Sequence, residues 1–360
     1  MAGSPTRASH RHSRPEMSPI LDSLGMWLVT AQLPEQLERA VASASQVTDL
    51  PNFDDVDHVV IMGMGGSGIA GDIVHAVAGP MMPVPVVVVK GYPCPPFVTR
   101  RSLVIAVSFS GNTEETLEAA AAAESAGAHM IAVTSGGALG HLAHEWGAPV
   151  YDLDASIQMP RAAVGAVSVP PLIALGRIGL FPGAEKWIEL AVTQLRSRRE
   201  QLGGPHDPAA AAAAAIGDSI PLVYGGGDLG LVAASRWKNQ VNENAKSPAF
   251  ANGMPELCHN EIAGWATATD LTQRVLSMVS LRHDYEHPQI ARRFDYNRRV
   301  ASPAMAATLE IHAEGDGQLA QLFDLMYFGD QVSIHLAAAR GVDPGPIAVL
   351  DELKAFLNAG

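Results

Sequence analysis

At 360 residues the chain is longer than an ordinary single domain and suits two domains, each large enough to bury its own core. Its formal net charge of -13 at pH 7 argues against a nucleic-acid-binding surface, because such surfaces need clustered lysine and arginine. A small anionic substrate is still compatible with this charge, since locally placed donors matter more than the net value.

Only two cysteines occur, Cys94 and Cys258, so the sequence offers no disulfide framework and no CxxC pair for zinc. This cysteine usage fits a reducing, cytoplasmic environment. No apolar run approaches the roughly 18 residues that a membrane-spanning helix requires. We therefore expect a soluble cytoplasmic protein that has neither a membrane nor a nucleic acid as partner.

The N-terminal region divides into two parts. Residues 1–18 combine arginine and histidine with serine and proline, contain no apolar segment typical of a signal peptide, and are predicted to be a disordered tail. The next segment, from Leu21 to Val47, has amphipathic spacing and predicts an N-terminal helix or helix pair.

From about Asp57, short β-branched runs alternate with helical stretches, which is typical of a parallel sheet covered by helices. The alternation weakens after Arg198 and resumes at IPLVYGGGD, so we place the domain boundary near residues 195–208. The predicted domains are 19–200 and 209–360. Both belong to the α/β class, each as a parallel-sheet αβα sandwich with a nucleotide-fold-like topology.

The second half follows the same pattern. It predicts, in order, a strand at 221–224, a helix at 229–242, a polar loop, a strand at 274–282, a helix, a strand at 308–312 and two closing helices.

The first candidate ligand loop is GMGGSG, in which Gly63, Gly65 and Gly68 satisfy the GxGxxG pattern directly after a predicted strand. A dinucleotide site would also need an acidic residue about 20 positions further on. No Asp or Glu lies between Asp72 and Glu114, which argues strongly against an NAD-dependent dehydrogenase.

The same loop has two other interpretations. Gly65, Gly66 and Ser67 fit a turn whose backbone N–H groups face a bound sugar, with a helix from Ile69 behind it. They also fit a tight strand-to-helix turn that binds nothing, and glycines alone do not separate the two.

A second loop, SFSGNTEET, also follows an apolar strand. Ser108, Ser110 and Thr113 supply three hydroxyls at the start of a helix predicted near Asn112. A phosphate monoester fits such a nest, because the hydroxyls and the helix dipole both favour it. Helix capping by Ser110 or Asn112 is the alternative, but capping does not need three hydroxyls. We interpret the loop as a phosphate site.

The segment from Asn242 to Gly264 places Glu243 and His259 sixteen positions apart in polar sequence, which indicates proton-transfer chemistry. Glu256 and Glu261 are competing carboxylates, to which we assign supporting positions. The histidine and its neighbours lack HExxH spacing, so no catalytic metal is predicted. With the two loops, this pair indicates an enzyme that acts on a sugar phosphate.

These motifs carry a family resemblance. GMGGSG followed by SFSGNTEET resembles the sugar isomerase (SIS) domain, and NENAKSPAF followed by PELCHNEIAGW resembles the bifunctional phosphoglucose/phosphomannose isomerases, from about Leu21 to the C-terminus. The resemblance implies two SIS domains per chain and a homodimer. It also implies interconversion of glucose 6-phosphate, and of mannose 6-phosphate, with fructose 6-phosphate through a cis-enediol and without a cofactor.

The resemblance also assigns roles to residues. It makes Glu243 the base and His259 the ring-opening group, supplied from the neighbouring subunit. Arg161, in IQMPRAAVG, corresponds to the active-site arginine, although an arginine there would equally suit a surface ion pair. Lys354, in VLDELKAFL, corresponds to a lysine that reaches the ring oxygen, although a helical lysine near the C-terminus is more often exposed.

Two positions depart from the family pattern. Cys258 stands where relatives often have asparagine beside the histidine, and Gly345 stands where they often have threonine. In the family this threonine makes room for either configuration at C2, so Gly345 bears on the mannose phosphate activity.

Two further functions are compatible with parts of the sequence. A SIS-type sensor of sugar phosphates would keep the phosphate loop but would not need both Glu243 and His259. The second further function is that of an isomerase or amidating enzyme for another sugar phosphate. The absence of a glutaminase-like segment or an N-terminal cysteine nucleophile disfavours the amidating form.

Overall fold

The computed structural model describes residues 21–267 and 270–358, and the predicted tail at residues 1–18 lies outside the described residues. The described strands are β1 His58–Met62, β2 Val86–Val89, β3 Ser102–Ser108, β4 His129–Thr134, β5 Val150–Asp152, β6 Ile220–Gly226, β7 Phe250–Met254, β8 Leu276–Arg282 and β9 Ala307–His312.

The described helices follow in the same way. They are α1 Met26–Ala31, α2 Leu33–Ala44, α3 Gly65–Ile73, α4 Glu114–Ser125, α5 Gly137–Trp146, α6 Val164–Ile178, α7 Ala184–Gln201, α8 Pro208–Ile216, α9 Gly227–Asn244, α10 Ile262–Trp265, α11 Thr272–Val275, α12 Pro288–Ala301, α13 Gln318–Ala339 and α14 Ala348–Asn358. No described helix combines the length and the apolar content that crossing a membrane requires.

The strands form two parallel sheets. The first has the order β2-β1-β3-β4-β5 and the second the order β7-β6-β8-β9, with every pairing parallel. Every residue of β3 is buried, as expected for a central strand covered by helices on both faces. The predicted α/β fold with parallel sheets is confirmed.

Two strands, β5 and β7, lie where the sequence predicted none. β7 lies inside the segment that the sequence indicated to be a polar loop, and it pairs with β6 in the register Leu222 to Phe250. Its sequence, FANGM, has no β-branched residue and carries Asn and Gly, which are depleted in strands. Backbone pairing with β6 therefore decides its conformation.

Four predicted starts shift by two or more residues, among them that of α9, which begins at Gly227 rather than Leu229. α3 begins at Gly65 rather than Ile69, so the glycines form its first turn, and α4 begins at Glu114 rather than near Asn112. β8 begins at Leu276, because the short helix α11 occupies the residues before it. Element ends carry the weakest sequence signal, whereas the elements that were predicted lie where the pattern placed them.

The helix α13 packs at the centre of the molecule. It is buried along most of its 22 residues and contacts α7, α8 and α9. A Cβ at Gly329 would come within 2.5 Å of the Trp237 ring, so glycine allows α9 to approach closely. One apolar cluster contains residues from both halves of the chain. It does not mark a boundary between them, so the domain limits at residues 200 and 209 stay a prediction.

Candidate active site

The two predicted ligand loops meet where the strand order of the first sheet reverses. β1 and β3 are parallel neighbours, so the loops that follow them leave the sheet side by side. In open α/β sheets this switch point is where ligands bind. A hydrogen bond joins the loops, because the Phe109 amide donates to Ser67 Oγ at 2.9 Å.

The three hydroxyls of the second loop differ in exposure. Ser108 is fully buried, and its Oγ lies 3.0 Å from Thr113 Oγ1. Thr113, the N-cap residue of α4, is half-buried, whereas Ser110 is exposed and accepts the Asn112 amide at 3.2 Å. An anion at the start of α4 would therefore meet Ser110 and Thr113, while Ser108 orients Thr113.

The first turn of α3 packs against the segment that carries Arg161. A Cβ at Gly66 would lie 3.0 Å from the Arg161 amide nitrogen, so this approach favours glycine. Gly65 has a φ of +49°, a conformation that glycine adopts without steric cost. The two glycines thus place the N-terminus of α3 beside Arg161.

A cavity of about 400 Å³ lies between α3 and α9, beside these glycines. Gly65, Gly66, Arg161 and Glu243 line it, so the structure brings together four of the residues that the sequence selected. Its other lining residues are Ile69, Asp72, His75, Lys90, Asp228, Leu231, Val232, Ser235, Arg236, Asn239 and Gln240.

Arg161 is 4 % exposed and is held on several sides. Its Nε donates to Asn244 Oδ1 at 2.7 Å, and its Nη2 donates to the backbone carbonyls of Pro344 and Gly345. Its Nη1 lies 3.8 Å from Glu243 Oε2. The guanidinium therefore has a fixed position and turns one nitrogen toward the carboxylate.

Glu243 lies in the last turn of α9, and its side chain is 30 % exposed. Burial raises the pKa of this carboxyl, and the neighbouring cations Arg161, Arg236, Lys246 and Lys238 oppose that rise. A carboxylate with a raised pKa is a better proton acceptor than an ordinary glutamate, which suits a general base.

His259 does not line this cavity. It lies exposed at the end of a 3-10 turn, Glu256–His259, and its ring makes no hydrogen bond within the described residues. The loop around it is anchored by Glu261, which accepts hydrogen bonds from Tyr224 Oη and, at 2.6 Å, from Asn252 Nδ2.

Lys354 also lies outside the cavity lining, on the exposed helix α14. One side of this helix is apolar and open to solvent, with Phe356 as its most exposed side chain at 77 %. The other exposed apolar residues are Val349, Leu350, Leu353 and Leu357.

Comparison with known proteins matches each half of the chain to a SIS-domain family. The family model described as "SIS domain" matches residues 52–145, and the one described as "Bacterial phospho-glucose isomerase C-terminal SIS domain" matches residues 205–357. A bifunctional phosphoglucose/phosphomannose isomerase from Caldicellulosiruptor bescii is 36 % identical over 330 residues, which covers 89 % of this chain and 96 % of the relative. The chain belongs to this family. A second member, from Thermoplasma acidophilum, is 36 % identical and covers 82 % of the chain and 88 % of its own length.

Solved structures agree on the fold. A hypothetical protein from Thermus thermophilus matches with a TM-score of 0.71 at 15 % identity, over 94 % of this chain and 91 % of that one. The C-terminal domain of glucosamine-fructose-6-phosphate aminotransferase from Francisella tularensis matches with a TM-score of 0.65 at 13 % identity, over 89 % and 97 %. The predicted pair of SIS domains and the predicted family are both confirmed.

The structure accounts locally for the two departures from the family pattern. The partly buried Cys258 packs on an apolar cluster that contains Leu257 and Met254, and burial raises the pKa of its thiol. Gly345 is buried, and a Cβ there would lie 2.8 Å from Leu24 Cγ. A larger residue at 345 would therefore require Leu24 to move.

The polar residues of α9 that line the cavity were not among those selected from the sequence. Arg236, Asn239 and Gln240 precede Glu243 by seven, four and three positions, and so lie on the same face of the helix. Helical periodicity counted back from Glu243 would have identified them once that residue was selected.

Proposed function

We propose that this protein, an isomerase of the bifunctional phosphoglucose/phosphomannose family, interconverts glucose 6-phosphate and mannose 6-phosphate with fructose 6-phosphate. The observation that supports it best is the pair formed by Glu243 and Arg161 in a cavity beside the N-terminus of α3. Both residues were selected from sequence motifs 82 positions apart.

The proposed chemistry needs no net gain of protons or electrons. Glu243 takes the proton from C2 of the open-chain aldose, which gives a cis-enediolate, and returns it to C1. A proton passes from the C2 hydroxyl to O1, so the ketose forms without a redox cofactor. Arg161 carries the fixed positive charge that stabilises the enediolate oxygens.

The phosphate group is proposed to bind at the second loop, where Ser110 and Thr113 offer hydroxyls at the start of α4. Gly65 and Gly66 complete the substrate site with backbone donors at the start of α3, whereas the Ser67 amide already donates to the Met64 carbonyl at 2.9 Å. Helix N-termini favour anions through their free N–H groups and the helix dipole, so neither loop needs a lysine or arginine.

His259 is proposed to open the sugar ring in the active site of a second copy of the chain. Its exposed ring, its lack of a partner among the described residues and its anchored loop are compatible with insertion into another subunit. We likewise assign Lys354 to the ring oxygen in the homodimer, where contacts with a second copy would cover the apolar side of α14. A reducing cytoplasm is the proposed location.

The proposal is tested by incubating purified protein with fructose 6-phosphate, without added cofactor, and resolving the two aldose products with coupled enzymes. We expect both products. Glu243→Gln is expected to lower kcat by about 10² to 10⁴-fold while substrate binding persists. Glu185→Gln, an exposed carboxylate on α7 outside the cavity lining, is the matched control and should keep wild-type turnover.

The possible outcomes separate the alternatives. If glucose 6-phosphate were the only product, we would infer that Gly345 and its neighbour Leu24 restrict the configuration that the site accepts at C2. Binding of sugar phosphate without turnover would favour the sensor function. Full turnover by Glu243→Gln would remove Glu243 as the base.

A further inference from the structure

Arg236 is a second buried guanidinium beside the site, and the proposed mechanism does not use it. It is 3 % exposed and lines the cavity from the middle of α9. Its Nη2 donates to the backbone carbonyl of Arg161 at 3.0 Å and to Asp330 Oδ2 at 2.6 Å. Arg236 therefore connects the main chain of Arg161 to a carboxylate on α13.

A second route joins the same two elements. Asn244 Oδ1 accepts from Arg161 Nε, and Asn244 Nδ2 donates to Ser333 Oγ at 2.9 Å. Ser333 Oγ in turn donates to the Asp330 carbonyl at 2.6 Å. Asn244, Ser333 and Asp330 are all at most 2 % exposed, so these hydrogen bonds are shielded from water.

The two routes hold different parts of Arg161. Arg236 fixes its main chain and Asn244 fixes its guanidinium, and both rest on the residues Asp330 and Ser333 of α13. Since α13 packs tightly at the centre of the molecule, it is a rigid support for a charge that must be placed accurately.

We propose that Arg236, supported by Asp330 and the Asn244–Ser333 pair, is a positioning residue that holds Arg161 in its productive place beside Glu243. This inference rests on the proposed function. Arg236 also faces Glu243 as a cation, together with Arg161, Lys238 and Lys246, and so helps to limit the rise of the glutamate pKa that burial causes.

The first test compares Arg236→Lys with Arg198→Lys. Arg198 forms a similar buried pair with Asp324, 2.7 Å from Nη2 to Oδ2, but makes no hydrogen bond to Arg161 within the described residues. We expect both variants to lose Tm. Arg236→Lys should also lose about 10- to 100-fold in kcat with KM within about threefold, because a misplaced charge costs transition-state stabilisation. Arg198→Lys should keep kcat.

The pH dependence of kcat is a second test, because a residue with a purely structural role would not change it. Arg236→Gln removes a cation that faces Glu243, so the acid limb of its kcat profile should move to higher pH. Arg236→Lys keeps a charge there and should move the limb less. If the acid limb of kcat lies at the same pH in both variants and in the wild type, the electrostatic part of the inference is wrong.

If Arg236→Lys does not fold, Ser333→Ala tests the other route with a small change of volume. We expect it to lower kcat by about 3- to 10-fold. Equal kcat losses in Arg236→Lys and Arg198→Lys, or wild-type kcat in Ser333→Ala, would overturn the inference. A wild-type protein without isomerase activity would instead refute the proposed function.

Discussion

Arg161 is almost fully buried, and its environment explains how the charge is kept there. Burial lowers the pKa of the guanidinium and Glu243 raises it, but arginine stays protonated in proteins. Its other nitrogens are occupied by Asn244 and two backbone carbonyls. The charge therefore sits in a partly desolvated cavity, where it acts more strongly on an oxyanion than it would in water.

The pH dependence of kcat should reflect the raised pKa of the Glu243 carboxyl. A base must be deprotonated to act, so turnover falls as the pH drops through the pKa of the group. Because burial raises that pKa, the acid limb of kcat should lie above the ordinary glutamate value of 4.5. The measurement is kcat against pH at saturating fructose 6-phosphate, and a limb at or below 4.5 would contradict the assignment.

Individual site residues were predictable from motifs to different degrees. Glu243 and Arg161 were assigned through the motifs that carry the family resemblance, and the fold brings them within 3.8 Å of each other. The burial of Ser108 was not predictable, because three hydroxyl residues in one loop do not show which of their side chains is buried against the sheet. Arg236 was missed because an arginine inside an amphipathic helix looks like a surface residue until the tertiary structure covers it.

At the scale of elements, the pattern predicted the strands of both sheets except β5 and β7. The runs in β1, β3 and β4 are continuous and apolar, which is typical of strands that are buried on both faces. β7 depends instead on its neighbour β6, a long-range contact that no local window contains. This strand leads directly to the turn that carries His259, the residue proposed to open the sugar ring.

The start of α8 offers an element-scale prediction. Asp207 caps this helix, and its side chain accepts from Gly203, Ala209 and Ala210 amides at 2.8, 2.8 and 3.3 Å. It also lies 3.0 Å from His335 Nε2 on α13. Asp207→Ala should lower the free energy of unfolding by about 1–2 kcal/mol at pH 7, as expected for a lost cap.

The pH dependence of this cap has a definite sign. Burial raises the pKa of Asp207, but the hydrogen bonds from three backbone amides and from His335 together outweigh it, so the folded pKa lies below 3.8. The stabilisation is therefore complete above 3.8 and is lost as the pH falls through the lowered folded value. Urea unfolding across that range measures it, with the exposed Asp218→Ala as the control, and an equal loss in both variants would contradict the cap.

At the scale of the whole molecule, a single chain does not assemble the complete proposed site. One apolar core joins the two halves and places Arg161 of the first beside Glu243 of the second. His259 and Lys354 lie outside that cavity. The sequence could assign these two residues by resemblance, but their position relative to a second subunit depends on an assembly that sequence patterns do not determine.

Complementation between two inactive variants tests whether His259 acts across the interface. Glu243→Gln and His259→Gln chains would each form inactive homodimers. In a mixed dimer, one site then combines the intact Glu243 of the second chain with the intact His259 of the first. If the subunits exchange at random, half of the dimers are mixed and half of their sites work, so about a quarter of wild-type kcat should return. Mixing each variant with itself is the control. A mixture that stays inactive, while mixed dimers are demonstrated by differently sized tags, would mean that each chain uses its own histidine.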